Sequence, residues 1–350
     1  MKTGIYIHIP FCLRKCSYCD FLSFPSREDD FEIYTNALVQ ELKAAQLQEV
    51  DTVYIGGGTP TVLPSPLLCQ ILKTVNQFPL TDDVEITVEA NPGTLTPSYL
   101  NELKAHGANR ISIGVQTTHP QLLTALDRAH TKEEYLQSYH NARAAGFDNI
   151  NLDLMFALPG QTVDHWMETL REITALDPEH ISAYSLTPPE GKEFPLANEY
   201  FDRELYHAAR DFLNAAGYMH YELSNFAKPG KESRHNINCW KMRPYIGFGL
   251  NAHSFNGKAR WNNTEDMEEY LTTSGTRKKN LSRLTVANLT EEEMILGLRL
   301  TQGIKPPPHY KDTITKLTAE GYLTHLENGN IALTAYGMDF ANRVFVEFLL

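Results

Sequence analysis

The sequence predicts an α/β protein in which a partial barrel of about six βα units precedes a small C-terminal α+β module. Two periodicities, strand-like and helix-like, alternate from residue 1 to about residue 226. Gly or polar residues follow most of the strands, and the last sixty or so residues change pattern. Strand and helix in alternation indicate parallel pairing with right-handed crossovers. A doubly wound open sheet is the competing arrangement.

The six predicted strands are rich in Val, Ile and aromatic residues, and they cover 5–9, 51–55, 84–90, 110–116, 149–158 and 180–186. Helical patterns lie between them, such as 31–47 and 164–176. The strands end in "GGGTPT" (56–61), "EANPGT" (89–94) and "GVQT" (114–117). In a βα barrel the site is built at these carboxyl ends, so the polar ends favour a barrel. Asn151 and Asp153 are two apart, which places them on one side of their strand, expected to face inward.

We expect three segments: a barrel core at 1–226, a connecting region at 227–285 and a terminal module at 286–350. The connecting region is rich in Gly, Asn and aromatic residues. The terminal module reads helix, strand, Asn-Gly turn, strand, helix, which resembles a winged helix. Winged helices often bind DNA, but this one lacks an evident Lys/Arg recognition face, so we interpret it as a packing appendage.

Composition narrows the classes of function. A net charge of -12 argues against a protein that grips nucleic acid. No apolar stretch reaches the roughly 18 residues of a membrane span, and the N-terminus lacks the features of an export signal. Five cysteines, three of them clustered, favour a reducing cytosol over a disulfide framework. We therefore expect a cytoplasmic protein without an integral membrane segment.

The sequence "CLRKCSYCD" places Cys12, Cys16 and Cys19 in a loop after the first strand. Zinc completed by a fourth ligand such as His8 is one interpretation, although structural zinc sites usually combine two close pairs of ligands. A [4Fe-4S] cluster held by three thiolates is the interpretation we favour, because it leaves one iron open to a substrate or cofactor.

This C-x3-C-x2-C motif, with Tyr18 before the last cysteine, resembles the signature of radical S-adenosylmethionine (SAM) enzymes. In that superfamily SAM chelates the open iron, and an electron from the cluster cleaves SAM to a 5′-deoxyadenosyl radical. The resemblance implies a partial (βα)6 TIM-like barrel, which agrees with the pattern above. "GGGTP" at the end of the second strand strengthens it.

The resemblance also implies which residues contact SAM. Tyr6 and Tyr18 would flank it near the cluster, and Gly57, Gly58 and Thr59 would approach its methionine end through their backbone. Its carboxylate and ribose would be contacted by Glu89, Gln116, Arg128 and Asp153. Each residue also has a purely structural interpretation, but their coincidence on successive strand ends favours a shared site.

"YIHIPFC", "EANPGT", "RISIGVQ" and "LPGQT" resemble the branch that contains oxygen-independent coproporphyrinogen III dehydrogenase and the HemW-type heme chaperones. The dehydrogenase carries a fourth cysteine two residues after the third, where this chain has Phe21. It also has an N-terminal extension, whereas only eleven residues precede Cys12 here. Both differences argue against porphyrinogen decarboxylation.

The segment "HNINCW" resembles the chaperone hallmark H-N-x-x-Y-W, with Cys239 in place of the tyrosine. The resemblance makes His235 the candidate heme ligand, since histidine is a common axial donor. His253 is a weaker candidate. Cys239 is either a second soft ligand or a buried neutral cysteine, and His235 has the alternative role of fixing a loop.

The resemblance implies that the protein is a heme chaperone, which binds a [4Fe-4S] cluster, SAM and heme and transfers heme to an acceptor apoprotein. The expected acceptors include a membrane-associated respiratory protein. The expected oligomeric states include a homodimer. Whether SAM is cleaved, and so whether the protein is an enzyme, is left open. The alternatives are the dehydrogenase and a radical-SAM RNA modifier, which the acidic charge disfavours.

Overall fold

The computed structural model describes residues 2–187, 191, 197–275 and 278–349. Six parallel strands form its centre, and each lies within a few residues of its predicted position. They are β1 (Thr3–Ile9), β2 (Val50–Gly57), β3 (Leu80–Ala90), β4 (Arg110–Gln116), β5 (Ile150–Phe156) and β6 (His180–Ser185). Two two-residue strands, Phe11–Cys12 and Phe24–Pro25, pair with each other in the loop after β1.

Helices connect the strands and cover the outer face of the sheet. The helices before the connecting region are α1 (Phe31–Ala44), α2 (Ser65–Val75), α3 (Pro97–Ala105), α4 (Pro120–Ala125), α5 (Lys132–Ala144), α6 (Val163–Ala175) and α7 (Glu199–Ala215). Short 3-10 turns lie at Glu28–Asp30 and Pro60–Val62. The predicted helices at 31–47 and 164–176 correspond to α1 and α6.

The order of the strands decides between the two predicted arrangements. Strands β1 to β6 are hydrogen-bonded in the order of the chain, each parallel to the next. A doubly wound sheet reverses its order partway, whereas a barrel continues in one direction. The predicted partial βα barrel is therefore confirmed. Successive side chains of a strand point to opposite faces of the sheet. Ile5, Ile7 and Ile9 share one face of β1 and are fully buried in the hydrophobic core.

The connecting region extends the same sheet at both ends. Its strands are β7 (Met219–Glu222), β8 (Asn225–Ala227), β9 (Tyr245–Phe248), β10 (His253–Phe255), β11 (Ala259–Asn263) and β12 (Lys278–Arg283). Strand β9 adds to β1 in parallel, and β8 adds to β6 in antiparallel. The sheet therefore runs from β12 at one edge to β7 at the other. Helices α8 (Arg234–Trp240) and α9 (Met267–Thr273) belong to this region.

The end of the chain has its own hydrophobic core, which includes Met294, Leu317 and Phe348. Its elements are α10 (Val286–Gly297), a 3-10 turn (Pro308–Tyr310), α11 (Lys311–Ala319), β13 (Leu323–His325), β14 (Ile331–Leu333), α12 (Ala335–Asp339) and α13 (Ala341–Val346). The predicted helix–strand–turn–strand–helix order is present. The boundaries at residues 226 and 285 stay a prediction. No helix in the described ranges is long and apolar enough to cross a membrane.

Candidate functional site

The three clustered cysteines lie in the loop at the carboxyl end of β1, where a βα barrel carries its site. Cys12 belongs to the short strand after β1, and a turn in which the Cys19 amide donates to the Cys16 carbonyl (3.2 Å) brings the other two together. All three are half-buried free cysteines. Burial is the main cause that raises the pKa of the Cys12 and Cys19 thiols.

A path of polar contacts joins two of these cysteines. The Cys12 Sγ lies 3.6 Å from the Thr59 Oγ1, which accepts a hydrogen bond from the Asn91 Nδ2 at 2.7 Å. The Arg128 guanidinium donates to the Asn91 Oδ1 (2.8 Å) and to the Cys16 Sγ (3.6 Å). Thr59 and Arg128, which were predicted to contact SAM, contact the sulfur atoms of Cys12 and Cys16, and their contact with SAM stays a prediction. Asn91 was missed, although it lies in the strand-end motif "EANPGT".

Glycine at the end of β2 lets this strand approach the cysteine loop. A Cβ on Gly58 would lie 2.4 Å from the Phe11 carbonyl oxygen, and Gly57 has a φ of 111°. The Gly58 amide donates to the Ile9 carbonyl (2.9 Å), and the Thr59 amide donates to the Phe11 carbonyl (2.7 Å). These amides are therefore engaged within the protein, and their approach to SAM stays a prediction.

Two largely buried carboxyl groups lie in the barrel behind the loop. Glu89 accepts from the Tyr54 hydroxyl (2.6 Å) and from the Gly57 amide (3.1 Å). Burial raises the pKa of Glu89 to about 7, despite these hydrogen bonds. Asp153 accepts from the Asn151 Nδ2 (2.7 Å), and burial also raises its pKa. The expectation that Asn151 and Asp153 share one side of β5 is confirmed by this contact.

The other predicted SAM residues stand at the same end of the sheet. Gln116 is the last residue of β4 with a φ of 66°, and its Oε1 accepts from the Tyr184 hydroxyl at 2.8 Å. Tyr18 packs beside Tyr184 against a small apolar cluster. Tyr6 donates to the His8 Nδ1 at 2.9 Å. Their contacts with SAM stay predictions.

The zinc alternative required a further ligand such as His8, and both ring nitrogens of His8 are already occupied. Its Nε2 donates to the Leu22 carbonyl at 2.9 Å, and its Nδ1 accepts from Tyr6. Within the described ranges no three His, Cys, Asp or Glu side chains converge as they would around one ion. A [4Fe-4S] cube binds each thiolate to a different iron.

The residues present fit a cluster and SAM. Three thiols supply the soft donors that iron–sulfur clusters require. Arg128 brings a partly buried positive charge beside Cys16, and its buried Nε has no hydrogen-bond partner among the described residues. When bound, the cluster and SAM supply one-electron chemistry. The protein's part is to hold the thiols at the strand ends and to provide Arg128, Asn91 and Thr59 as polar contacts.

His235, the predicted heme ligand, lies on α8 at the opposite end of the barrel. Only 5% of it is exposed, and its Nδ1 lies 3.1 Å from the Thr52 Oγ1. Glu85 accepts from the amides of Arg234 and His235, both at 3.1 Å, which fixes the start of α8 against β3. Burial is the main cause that lowers the pKa of His235 to about 4. A heme could reach this imidazole only if α8 moved.

A cavity of about 330 Å³ lies beside the other half of α8. Its walls come from α8, from strands β9 to β11 and from α10, and they are mainly aromatic and aliphatic. The lining residues are Cys239, Trp240, Tyr245, Phe255, Arg260, Glu292, Ile295 and Leu296. His253, the weaker heme candidate, is exposed on β10 and does not line this cavity.

Comparison with known proteins identifies the family to which the chain belongs. The family described as "Radical SAM superfamily" matches residues 6–173. "Heme chaperone HemW" of Bacillus subtilis is 36% identical over 100% of this chain and 99% of its own length. The protein of the same name from Escherichia coli is 39% identical over 71% of this chain and 69% of its own length.

Among solved structures, coproporphyrinogen III oxidase (HemN) from Escherichia coli, described as a radical SAM enzyme, matches with a TM-score of 0.86. It covers 99% of this chain and 90% of its own, at 22% identity, which supports the fold alone. The chain thus belongs to the radical SAM superfamily and, within it, to the family of HemW-type heme chaperones. Membership in the superfamily implies a [4Fe-4S] cluster and SAM.

Proposed function

We propose that this protein is a heme chaperone that binds heme beside α8 and passes it to an acceptor apoprotein. The observation that carries the proposal is the cavity between α8, β9–β11 and α10, because "HNINCW" supplies two of its lining residues, Cys239 and Trp240. The relatives named HemW support the same function for the chain as a whole.

The lining of the cavity suits a porphyrin. Trp240, Tyr245 and Phe255 line the cavity with aromatic surface against which a flat apolar macrocycle packs well. Arg260 is ion-paired with Glu292 (2.7 Å) at the same cavity and offers a cation to a propionate. Cys239 supplies a sulfur donor that heme iron accepts.

Two donors on α8 are therefore candidates for the iron. His235 is the donor that the resemblance implies, and its use requires α8 to move. Cys239 already faces the cavity, although burial raises the pKa of its thiol to about 11. Ligation by Cys239 would release a proton, so heme affinity through this residue should rise with pH.

The test is titration of the anaerobically reconstituted protein with hemin, followed by the Soret band. We expect saturable binding at one heme per chain. Cys239→Ala removes the band if the sulfur is the donor, and His235→Ala removes it if the imidazole is. Cys69→Ala is the matched control, since Cys69 is a buried free thiol on α2, away from the cavity. Absence of saturable binding by the wild-type protein would overturn the proposal.

The acceptor is proposed to be a heme-free apoprotein, such as a membrane-associated respiratory protein, in the cytoplasm or at its membrane. Conversion of coproporphyrinogen III is not expected. Phe21 occupies the position of the dehydrogenase's fourth cysteine, and it is 61% exposed. Formation of protoporphyrinogen under reducing, anaerobic conditions with intact cluster and SAM would favour the dehydrogenase instead.

A further inference from the structure

Arg110 carries a buried charge for which the described residues provide no direct partner. It is the first residue of β4, and only 2% of it is exposed. Its Nε has no hydrogen-bond partner, and its guanidinium forms no hydrogen bond or ion pair with any described residue. A guanidinium stays charged at any physiological pH, and an unpaired buried charge is costly. A group outside the described contacts must therefore satisfy it.

A second unsatisfied group lies next to Arg110. Thr87 is the residue of β3 that pairs with Arg110 across the parallel register, so both side chains point to the same face of the sheet. Thr87 is fully buried, and its Oγ1 also has no hydrogen-bond partner among the described residues. Two orphaned donors on neighbouring strands define what we call the Arg110 site.

The nearby acids are committed to other partners. Glu89 accepts from Tyr54 and Gly57, and Asp153 accepts from Asn151 and from the Ser112 hydroxyl (3.2 Å). Neither forms an ion pair with Arg110. Their charges act on Arg110 only from a distance, so the donors of the guanidinium are free for an incoming acceptor.

Neutral imidazoles complete the surroundings. The His180 Nδ1 lies 2.6 Å from the Asn151 Oδ1, and its Nε2 lies 2.8 Å from the Tyr221 hydroxyl. Burial first, and the charge of Arg110 second, lower the pKa of both His180 and His235. Arg110 is therefore the one cation among these groups, and the site favours a small anionic acceptor.

We propose that the Arg110 site binds a single carboxylate group through the Arg110 guanidinium and the Thr87 hydroxyl. The carboxylate of SAM is excluded, because Arg110 lies at the amino end of β4, roughly 20 Å along the strand from Gln116 at the predicted SAM end. Two sources remain: a free small carboxylate, and a heme propionate that enters beneath α8, where His235 lies. The second source rests on the function proposed above, whereas the first does not.

Thr87→Val tests the site with little risk to folding, because it replaces a hydroxyl by a methyl group of similar size. Thermal unfolding of the reconstituted protein is measured with increasing sodium acetate, and with sodium chloride at equal ionic strength. We expect acetate to raise the wild-type Tm beyond chloride. Thr87→Val should raise the half-saturating acetate concentration by about tenfold or more, since a hydrogen bond to a charged group is lost.

Two further variants sharpen the result. Arg110→Met should abolish the acetate-dependent shift. Thr35→Val is the matched control, because Thr35 on α1 is equally buried and its Oγ1 also has no hydrogen-bond partner in the described part of the chain. It should leave the shift unchanged. Equal Tm values in acetate and chloride for the wild type, together with hemin affinity that Thr87→Val leaves unchanged, would show that water alone satisfies Arg110.

The heme arm identifies the source of the carboxylate. If a propionate occupies the site, acetate should compete with hemin but not with heme dimethyl ester, and Thr87→Val should weaken only hemin. If a free carboxylate occupies it, acetate should raise the Tm without changing hemin affinity. Absence of both the acetate-dependent Tm shift and the competition with hemin would overturn the proposal. Failure of all heme binding with an acetate shift retained would overturn the proposed function and leave the Arg110 site standing.

Discussion

Single residues on the loops after the strands make the polar contacts of the cysteine loop. Arg128 and Asn91 connect Cys16 to Thr59, and Thr59 in turn touches Cys12. These contacts join residues that are far apart in the sequence, so they form only when the barrel is folded. Glu89 lies behind them and is largely buried, and its desolvation raises its pKa to about 7.

Replacement of Glu89 by Gln should change the dependence of stability on pH. The folded pKa of about 7 lies above the ordinary 4.5, so between these values the folded protein keeps a proton that the unfolded chain has lost. The free energy of unfolding of the wild type therefore falls as pH rises through this window, by about 3 kcal/mol from this group alone. Denaturant unfolding of Glu89→Gln should lack that contribution.

The control for this comparison is Glu327→Gln, since Glu327 is exposed near the end of the chain. Its stability should follow the wild-type profile from pH 4.5 to pH 7.5. If the Glu89→Gln and wild-type profiles ran parallel instead, Glu89 would be ionised in the folded protein and the burial argument would be wrong.

Among the elements, the end of β2 and the loop after β1 act as one unit. Gly58 lies directly against the Phe11 carbonyl, and the short strand that contains Cys12 follows from there. The loop is thus positioned by backbone contacts that leave no room for a side chain. Helix α8 is fixed in a similar way at the other end of the barrel, where Glu85 accepts its first amides.

Gly58→Ala should displace the cysteine loop, because its Cβ would overlap the Phe11 carbonyl. We expect a loss of about 1–3 kcal/mol in stability and fewer iron atoms retained per chain after reconstitution. Gly230→Ala is the control: its φ is 76°, but a Cβ there meets nothing within 4 Å. Its cost should be conformational only, with full iron content. Full iron content and wild-type stability in Gly58→Ala would contradict this account of the loop.

At the scale of the whole molecule, the sequence predicted the barrel better than its extension. The apolar strands, the cysteine loop and the polar strand ends are local signals, and β1 to β6 follow them closely. Strand β9 pairs with β1 although more than two hundred residues separate them in the sequence, and no local sequence pattern predicts that pairing. Burial of His235 depends on the same long-range packing.

Arg110 shows a signal that sequence reasoning missed. A charged residue begins the buried strand "RISIGVQ", and its burial follows once β4 takes a central place in the sheet. The sequence does not reveal that Arg110 lacks an ion-pair partner. The acids near it lie on β3 and β5, so their hydrogen bonds and their distances from Arg110 depend on the folded structure. The cysteine ligands of the cluster, by contrast, were predicted from their spacing in the sequence alone.

The central claim is a cluster held by Cys12, Cys16 and Cys19 with one iron left open for SAM. Electron paramagnetic resonance of the reduced, anaerobically reconstituted protein, recorded before and after addition of SAM, tests it most directly. We predict about four iron and four sulfide per chain and a spectrum that changes when SAM is added. Tightly bound zinc in place of iron, or a cluster spectrum that SAM leaves unchanged, would contradict the account.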